Sequence, residues 1–274
     1  MADLLTLSLA LAAAAIGAVA LTRHGRHRKR TYRELAARRE ALTAGRRPSL
    51  ATLPAPENLR ADFERERIIR VEGFLASESL AELRAEWRAN RLRAVRSYIP
   101  RHKTGGTVSY EAIHRHAPAC LALYHSPALR DWLGRVFDEP LQPTADHDQS
   151  ACSILSYDQA GDHIQWHYDY NFYRGRHFTL LLSLVNRSAD GGVSSGRLMQ
   201  RRQFGEVTEW DSSENVLVLF EGARVHHRVS PVGAGDERVM LSMTLCTDPR
   251  IHPLKELVRR VKDTAYYGPR ALID

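Results

Sequence analysis

Three side chains in this 274-residue chain, His167, Asp169 and His227, are of types that together hold a divalent metal. In the run Gln165-Trp-His167-Tyr-Asp169, an extended backbone places residues two apart on one side, about 7 Å from each other along the strand. An imidazole and a carboxylate then enter one space. A second histidine completes the two-histidine, one-carboxylate set that holds Fe(II) and leaves positions open for other ligands. The run Val225-His226-His227-Arg228-Val229-Ser-Pro231-Val232 offers it. A one-residue slip in strand register would exchange His226 for His227, so both are candidates for this position. Across the Gly233-Ala-Gly235-Asp turn, a hairpin can return Arg238 beside the same space. A guanidinium there suits a carboxylate, which it grips through two parallel hydrogen bonds.

Those residues need strands to carry them, and the second half of the chain supplies strands. Short apolar or alternating runs follow one another from Ala151 to Tyr157, His163 to Asp169, Phe178 to Val185, Arg197 to Arg201, Val216 to Phe220, His227 to Val232 and Arg238 to Leu245, with Gly, Asp, Asn and Ser between them. The first half reads as helices. Ser77 or Ser79 caps one with Leu80, Leu83 and Trp87 on a face, a second runs from Tyr110 to Tyr124, and a third starts at Pro127 under a Ser126 cap. Pro253 to Ala265 is expected to close the chain as an amphipathic helix, turning Leu254, Leu257, Val258 and Val261 inward and leaving Lys255, Arg259, Arg260 and Lys262 to solvent. Lys103-Thr-Gly105-Gly106-Thr lacks the spacing of a phosphate-binding loop and is expected to be a turn or mobile lid.

From about Ile68 to Leu245 the chain resembles the Fe(II)/2-oxoglutarate-dependent oxygenases, in their prolyl-hydroxylase-like branch. The resemblance is carried by Val71-Glu-Gly-Phe-Leu75-Ala-Ser, Ser156-Tyr157 with Gly161, His167-x-Asp169, Arg176-His-Phe-Thr179-Leu-Leu-Leu-Ser-Leu-Val-Asn186, Ser195-Gly196-Arg-Leu198, Asn215-Val-Leu-Val-Leu-Phe220, and His227-Arg-Val-Ser-Pro-Val with Gly235 and Arg238. It implies an α+β protein built on a double-stranded β-helix (jelly-roll, cupin-like) with flanking N-terminal helices. It implies Fe(II) on His167, Asp169 and His227, and 2-oxoglutarate as co-substrate, bound through Arg238, Tyr157 and Thr179. The implied reaction uses O2 to hydroxylate a substrate while 2-oxoglutarate is decarboxylated to succinate, and admits ascorbate as an accessory reductant. Related halogenases usually carry Gly or Ala in place of Asp169, so this chain resembles the hydroxylating members. Arg238 stands where prolyl 4-hydroxylases commonly carry lysine, so peptidyl-prolyl specificity is not implied. The alternative is a non-catalytic relative whose barrel binds a ligand or a partner protein.

Composition narrows the partners. The net charge of +7 is concentrated between Arg23 and Arg47, where ten Lys/Arg face two Glu, so the rest is nearly neutral and no nucleic-acid surface is expected. Cys120, Cys152 and Cys246 are odd in number and widely spaced, which argues against a disulfide framework. Leu4 to Leu21 is an uncharged run followed at once by basic residues. It reads as a single-pass transmembrane helix with the N-terminus out and the catalytic domain cytoplasmic. The expected organisation is an anchor over 1–22, a basic juxtamembrane helix and linker over 23–57, and an oxygenase domain over 58–274. A small-molecule, lipid or peptidyl substrate is open, as is the oligomeric state.

Overall fold

The computed structural model describes residues 30–267. In chain order its elements are α1 (residues 30–43), α2 (Pro56–Glu66), β1 (Ile68–Val71), α3 (Ser77–Asn90), β2 (Val95–Ile99), β3 (Lys103–Val108), α4 (Tyr110–His116), α5 (Pro118–Tyr124), α6 (Pro127–Phe137), β4 (Gln142–Pro143), β5 (Cys152–Tyr157), β6 (His163–His167), β7 (His177–Arg187), β8 (Leu198–Arg201), β9 (Val207–Trp210), β10 (Leu217–Phe220), β11 (His226–Val229), β12 (Glu237–Cys246) and α7 (Pro253–Tyr267). The strands form one antiparallel sheet in the order β1-β10-β7-β12-β5-β3-β6-β11-β8-β9. This near-barrel sheet with flanking helices fits a double-stranded β-helix.

Side-chain alternation gives the sheet its two faces. On β12, Val239, Leu241, Met243 and Leu245 join the helix-side core, whereas Arg238, Met240, Ser242 and Thr244 line a cavity on the other face. The same parity holds on β7, where Phe178, Leu180, Leu182 and Leu184 meet the helices and His177, Thr179 and Leu181 meet the cavity. Full burial of each large apolar side chain on the helix side is worth about 1.5–3 kcal/mol. Phe63 of α2 and Phe137 of α6 stack there with Phe178, at ring separations of 4.5 and 4.2 Å along the chain of contacts. All three cysteines are free and buried.

Local chemistry explains where elements stop. Ser126 accepts from Leu129 N at 3.3 Å and caps α6, with Pro127 in its first turn, as expected. The single helix expected from Tyr110 to Tyr124 is two, α4 and α5, because Pro118 removes a donor and holds Ala117 out of the helical region at φ −136°, ψ 68°. Lys103–Val108 is not a turn. It is strand β3, paired with β2, β5 and β6, and its glycines admit the neighbouring strand: a Cβ on Gly106 would meet Ser156 Oγ at 2.3 Å.

Two expectations about the ends of the chain are revised. The inward face of α7 is inverted: Leu254, Leu257, Val258 and Val261 are exposed, and Arg259, Asp263 and Tyr267 are buried. Ion pairs within the helix, Arg259 with Glu256 and Asp263 and Lys262 with Asp263, offset the charge on that side, and it is held inward by Arg259 donating to His147 O and Lys262 donating to Ser150 Oγ. The expected transmembrane segment, Leu4 to Leu21, lies outside the described residues, and among the described residues no helix is long and apolar enough to cross a membrane. The single-pass placement with a cytoplasmic catalytic domain is corrected on that finding.

Candidate active site

His167 closes β6 and His227 lies directly opposite it on β11, so cross-strand pairing alone brings the two imidazoles together, with ring centroids 4.2 Å apart. Asp169 follows just beyond β6, where its N–H donates to Gly222 O at 3.0 Å and fixes its direction. Its Oδ1 lies 3.5 Å from His167 Nε2 and 3.9 Å from His227 Nε2. Ligand atoms of all three residues fall within 4.8 Å of one another, a spacing one ion can bridge. His226 points the other way, stacked on Tyr168 at 4.7 Å.

The histidines are pre-set for ligation. Nδ1 of His167 meets Gln165 O at 2.7 Å and Nδ1 of His227 meets Val225 O at 2.9 Å. A carbonyl only accepts, so Nδ1 carries the proton in each ring and the lone pair sits on Nε2, facing Asp169. Burial pushes the His227 pKa down to about 4, which keeps it neutral at pH 7. Burial opposes ionisation of Asp169, but positive charge on the histidine side outweighs that and holds its carboxyl far below the usual range, and the same pairing, against burial, raises the His167 pKa.

Thr179 sits on β7 with Oγ1 donating to Asp169 Oδ2 at 2.6 Å. It therefore occupies one carboxylate oxygen and leaves the other for the histidine side. Gly222 makes room for this arrangement: a Cβ there would lie 2.5 Å from Asp169 Oδ2 and 2.9 Å from His177 Cε1. No spacing rule in the sequence singled out Gly222; only its place two residues after the β10 apolar run marks it.

Arg238 and Tyr157 face each other across β12 and β5, with Arg238 Cζ 5.5 Å from the tyrosine ring centroid. Arg238 is 1% exposed, and its Nε and Nη2 have no hydrogen-bond partner. Burial lowers its pKa to about 10. Gly196 passes close to its stem: a Cβ there would meet Val232 Cγ1 at 2.7 Å and Arg238 Cδ at 3.1 Å. A buried guanidinium without a counter-ion, opening on a cavity, is a place for a ligand carboxylate.

The cavity measures about 290 Å³ and takes in the three metal-type ligands, Arg238, Tyr157 and Thr179 together. Sequence reasoning missed part of its wall. Lys262, Tyr266 and Tyr267 of α7 line it, as do His102 and Lys103, and Tyr266 Oη bonds His102 Nε2 at 2.7 Å. Tyr168, Tyr170, Phe172 and Tyr173, the aromatics around the end of β6, line it too. Asn171 and Arg174, just past the strand, do not line it; Asn171 ties its own loop through Gly175 O at 2.7 Å and Tyr173 N at 2.9 Å.

Residues 152–245 match the family model of the 2OG-Fe(II) oxygenase superfamily, and residues 53–175 match that of Halogenase D. Among solved structures, the chain is similar to a Pseudomonas putida prolyl-4-hydroxylase, at 18% identity and TM-score 0.54 over 71% of this chain and 99% of that one. It is also similar to a prolyl hydroxylase from Trichoplax adhaerens, in complex with a hypoxia inducible factor peptide fragment, at 18% identity and TM-score 0.57 over 70% and 89%. The epimerase SnoN of nogalamycin biosynthesis superposes at TM-score 0.58 with 16% identity over 70% and 80%. No curated protein matches. At such identities the structural likeness establishes the fold.

Proposed function

We propose that this chain, whose residues 152–245 match the family model of the 2OG-Fe(II) oxygenase superfamily, is a member of that superfamily and hydroxylates a carbon of its substrate, with His167, Asp169 and His227 as the metal ligands. The enzyme class brings Fe(II), 2-oxoglutarate and O2. One oxygen atom enters the C–H bond as a hydroxyl, and the other enters succinate as 2-oxoglutarate loses CO2. The bound metal supplies the redox chemistry that couples these halves. The chain's own residues do the rest. Backbone carbonyls of Gln165 and Val225 aim the Nε2 lone pairs, and Thr179 orients Asp169, so in this reading Thr179 serves the ligand and not the co-substrate directly. Arg238 holds the distal carboxylate of 2-oxoglutarate beside Tyr157, and the apolar wall keeps bulk water out.

The observation that carries this reading is the convergence of those three ligand atoms on a cavity that also holds the unpartnered guanidinium of Arg238. The Halogenase D match makes halogenation the second reading. Asp169 weighs against it, since a third protein ligand takes the place a halide would need. The test is succinate release from 2-oxoglutarate by protein supplied with Fe(II), ascorbate and O2. Wild type should form succinate and His167→Ala should not; equal rates in the two would overturn the assignment.

A further inference from the structure

A second buried cation opens on this cavity, and the hydroxylation chemistry does not use it. Lys103, at the start of β3, is 2% exposed and lines the wall. Its Nζ donates to Thr107 Oγ1 at 2.9 Å and lies 4.7 Å from the centroid of the Tyr266 ring. An ammonium has three donors, so two have no acceptor among the described residues. Among the described residues the one acid whose charge reaches it is Asp162. That carboxylate is already taken by Arg96 at 2.9 and 2.6 Å and by the N–H groups of Asp158 and Gln159. Burial, with Lys262 adding like charge, pushes the Lys103 pKa down to about 7.

Lys262 does not share this condition: it donates to Ser150 Oγ at 2.8 Å and pairs with Asp263 Oδ1 at 3.3 Å. Nor does Lys103 duplicate Arg238. Lys103 Nζ lies over the Tyr266 ring, whereas Arg238 Cζ lies over the Tyr157 ring at 5.5 Å, so the two cations face different walls of the cavity. Lys103 belongs with Tyr266 and His102, whose ring lies 5.6 Å from that of His167. A buried ammonium without a counter-charge costs stability unless a ligand supplies one. Tyr168, Tyr170 and Phe172 supply an aromatic wall for the remainder of such a ligand.

Resting on the iron and 2-oxoglutarate reading of the site, we propose that Lys103 is a specificity residue that pairs with a carboxylate of the substrate, which is therefore an organic acid with an apolar body. The probes are benzoate and its neutral isostere benzamide, titrated into protein loaded with Mn(II) in place of Fe(II) and saturated with 2-oxoglutarate, which occupies Arg238. Wild type should bind benzoate at least about ten-fold more tightly than benzamide. Lys103→Met and Lys103→Gln should erase that preference while holding 2-oxoglutarate as wild type does. No preference in wild type, a preference kept by both variants, or a loss of 2-oxoglutarate binding in both would overturn the proposal. The wild-type comparison stands without any variant. Failure of the underlying reading is seen separately, as wild type that binds neither Mn(II) nor 2-oxoglutarate, and it would remove this proposal as well.

Discussion

Arg259 and Arg238 are each 1% exposed, yet their surroundings differ completely. Arg259, on α7, is enclosed by Glu256 at 2.9 and 2.8 Å, by Asp263, and by His147 O at 2.9 Å. Burial works against its charge, but Glu256, Asp148 and Asp263 outweigh it and raise the pKa. Arg238 has the burial without the partners, and its pKa falls. Burial alone therefore does not separate a structural cation from a binding one. What separates them is whether the protein has already supplied the counter-charge, and whether the bare group opens on a cavity.

That distinction can be broken by substitution. Arg259→Met strands two acids against the barrel and should cost about 3–5 kcal/mol in urea unfolding. Arg238→Met removes a charge that no acid among the described residues pairs, so melting should be unchanged or higher while KM for 2-oxoglutarate rises on the order of 100-fold. A loss of stability as large as that of Arg259→Met would erase the contrast. Thr179→Val frees Asp169 Oδ2 and should weaken Fe(II) binding roughly ten-fold, read by metal titration, with little change in melting.

His114 sharpens the comparison from the other side, because its two ring nitrogens are buried without partners but it lies away from the cavity. Burial first, then Arg39 and Arg115, pushes its pKa down to about 4. The folded state therefore resists a proton that the unfolded chain takes up near pH ~6.5. Stability should hold above that pH and fall as pH drops from there toward 4. His125, lowered to about 3 by burial, adds to the same loss. His114→Phe should flatten this part of the pH profile and add about 1 kcal/mol, leaving KM for 2-oxoglutarate unchanged.

The barrel and its metal-type ligands were legible because strand parity is a local property. His167 and Asp169 share a side by spacing, and Arg238 follows His227 across one turn. The helix-side core followed from the same alternation. Burial of α7 was not legible in this way. Its apolar stripe is as regular as the buried stripe of α6, where Leu129, Trp132, Leu133 and Val136 do face inward. An amphipathic pattern marks two faces but does not say which one meets the protein. For α7 the choice depends on Ser150 and His147, distant in sequence, which receive Lys262 and Arg259. Lys103 was hidden for a related reason: its neighbours Thr107 and Tyr266 are assembled by β-pairing and by α7.

If 2-oxoglutarate and metal share one place, the binding of one depends on the other, so the decisive measurement is 2-oxoglutarate binding under argon, with Fe(II) and with chelator, for wild type and His227→Ala. Wild type should bind only when Fe(II) is present, and His227→Ala in neither condition. Equal binding with and without Fe(II), or by both proteins, would contradict a shared place.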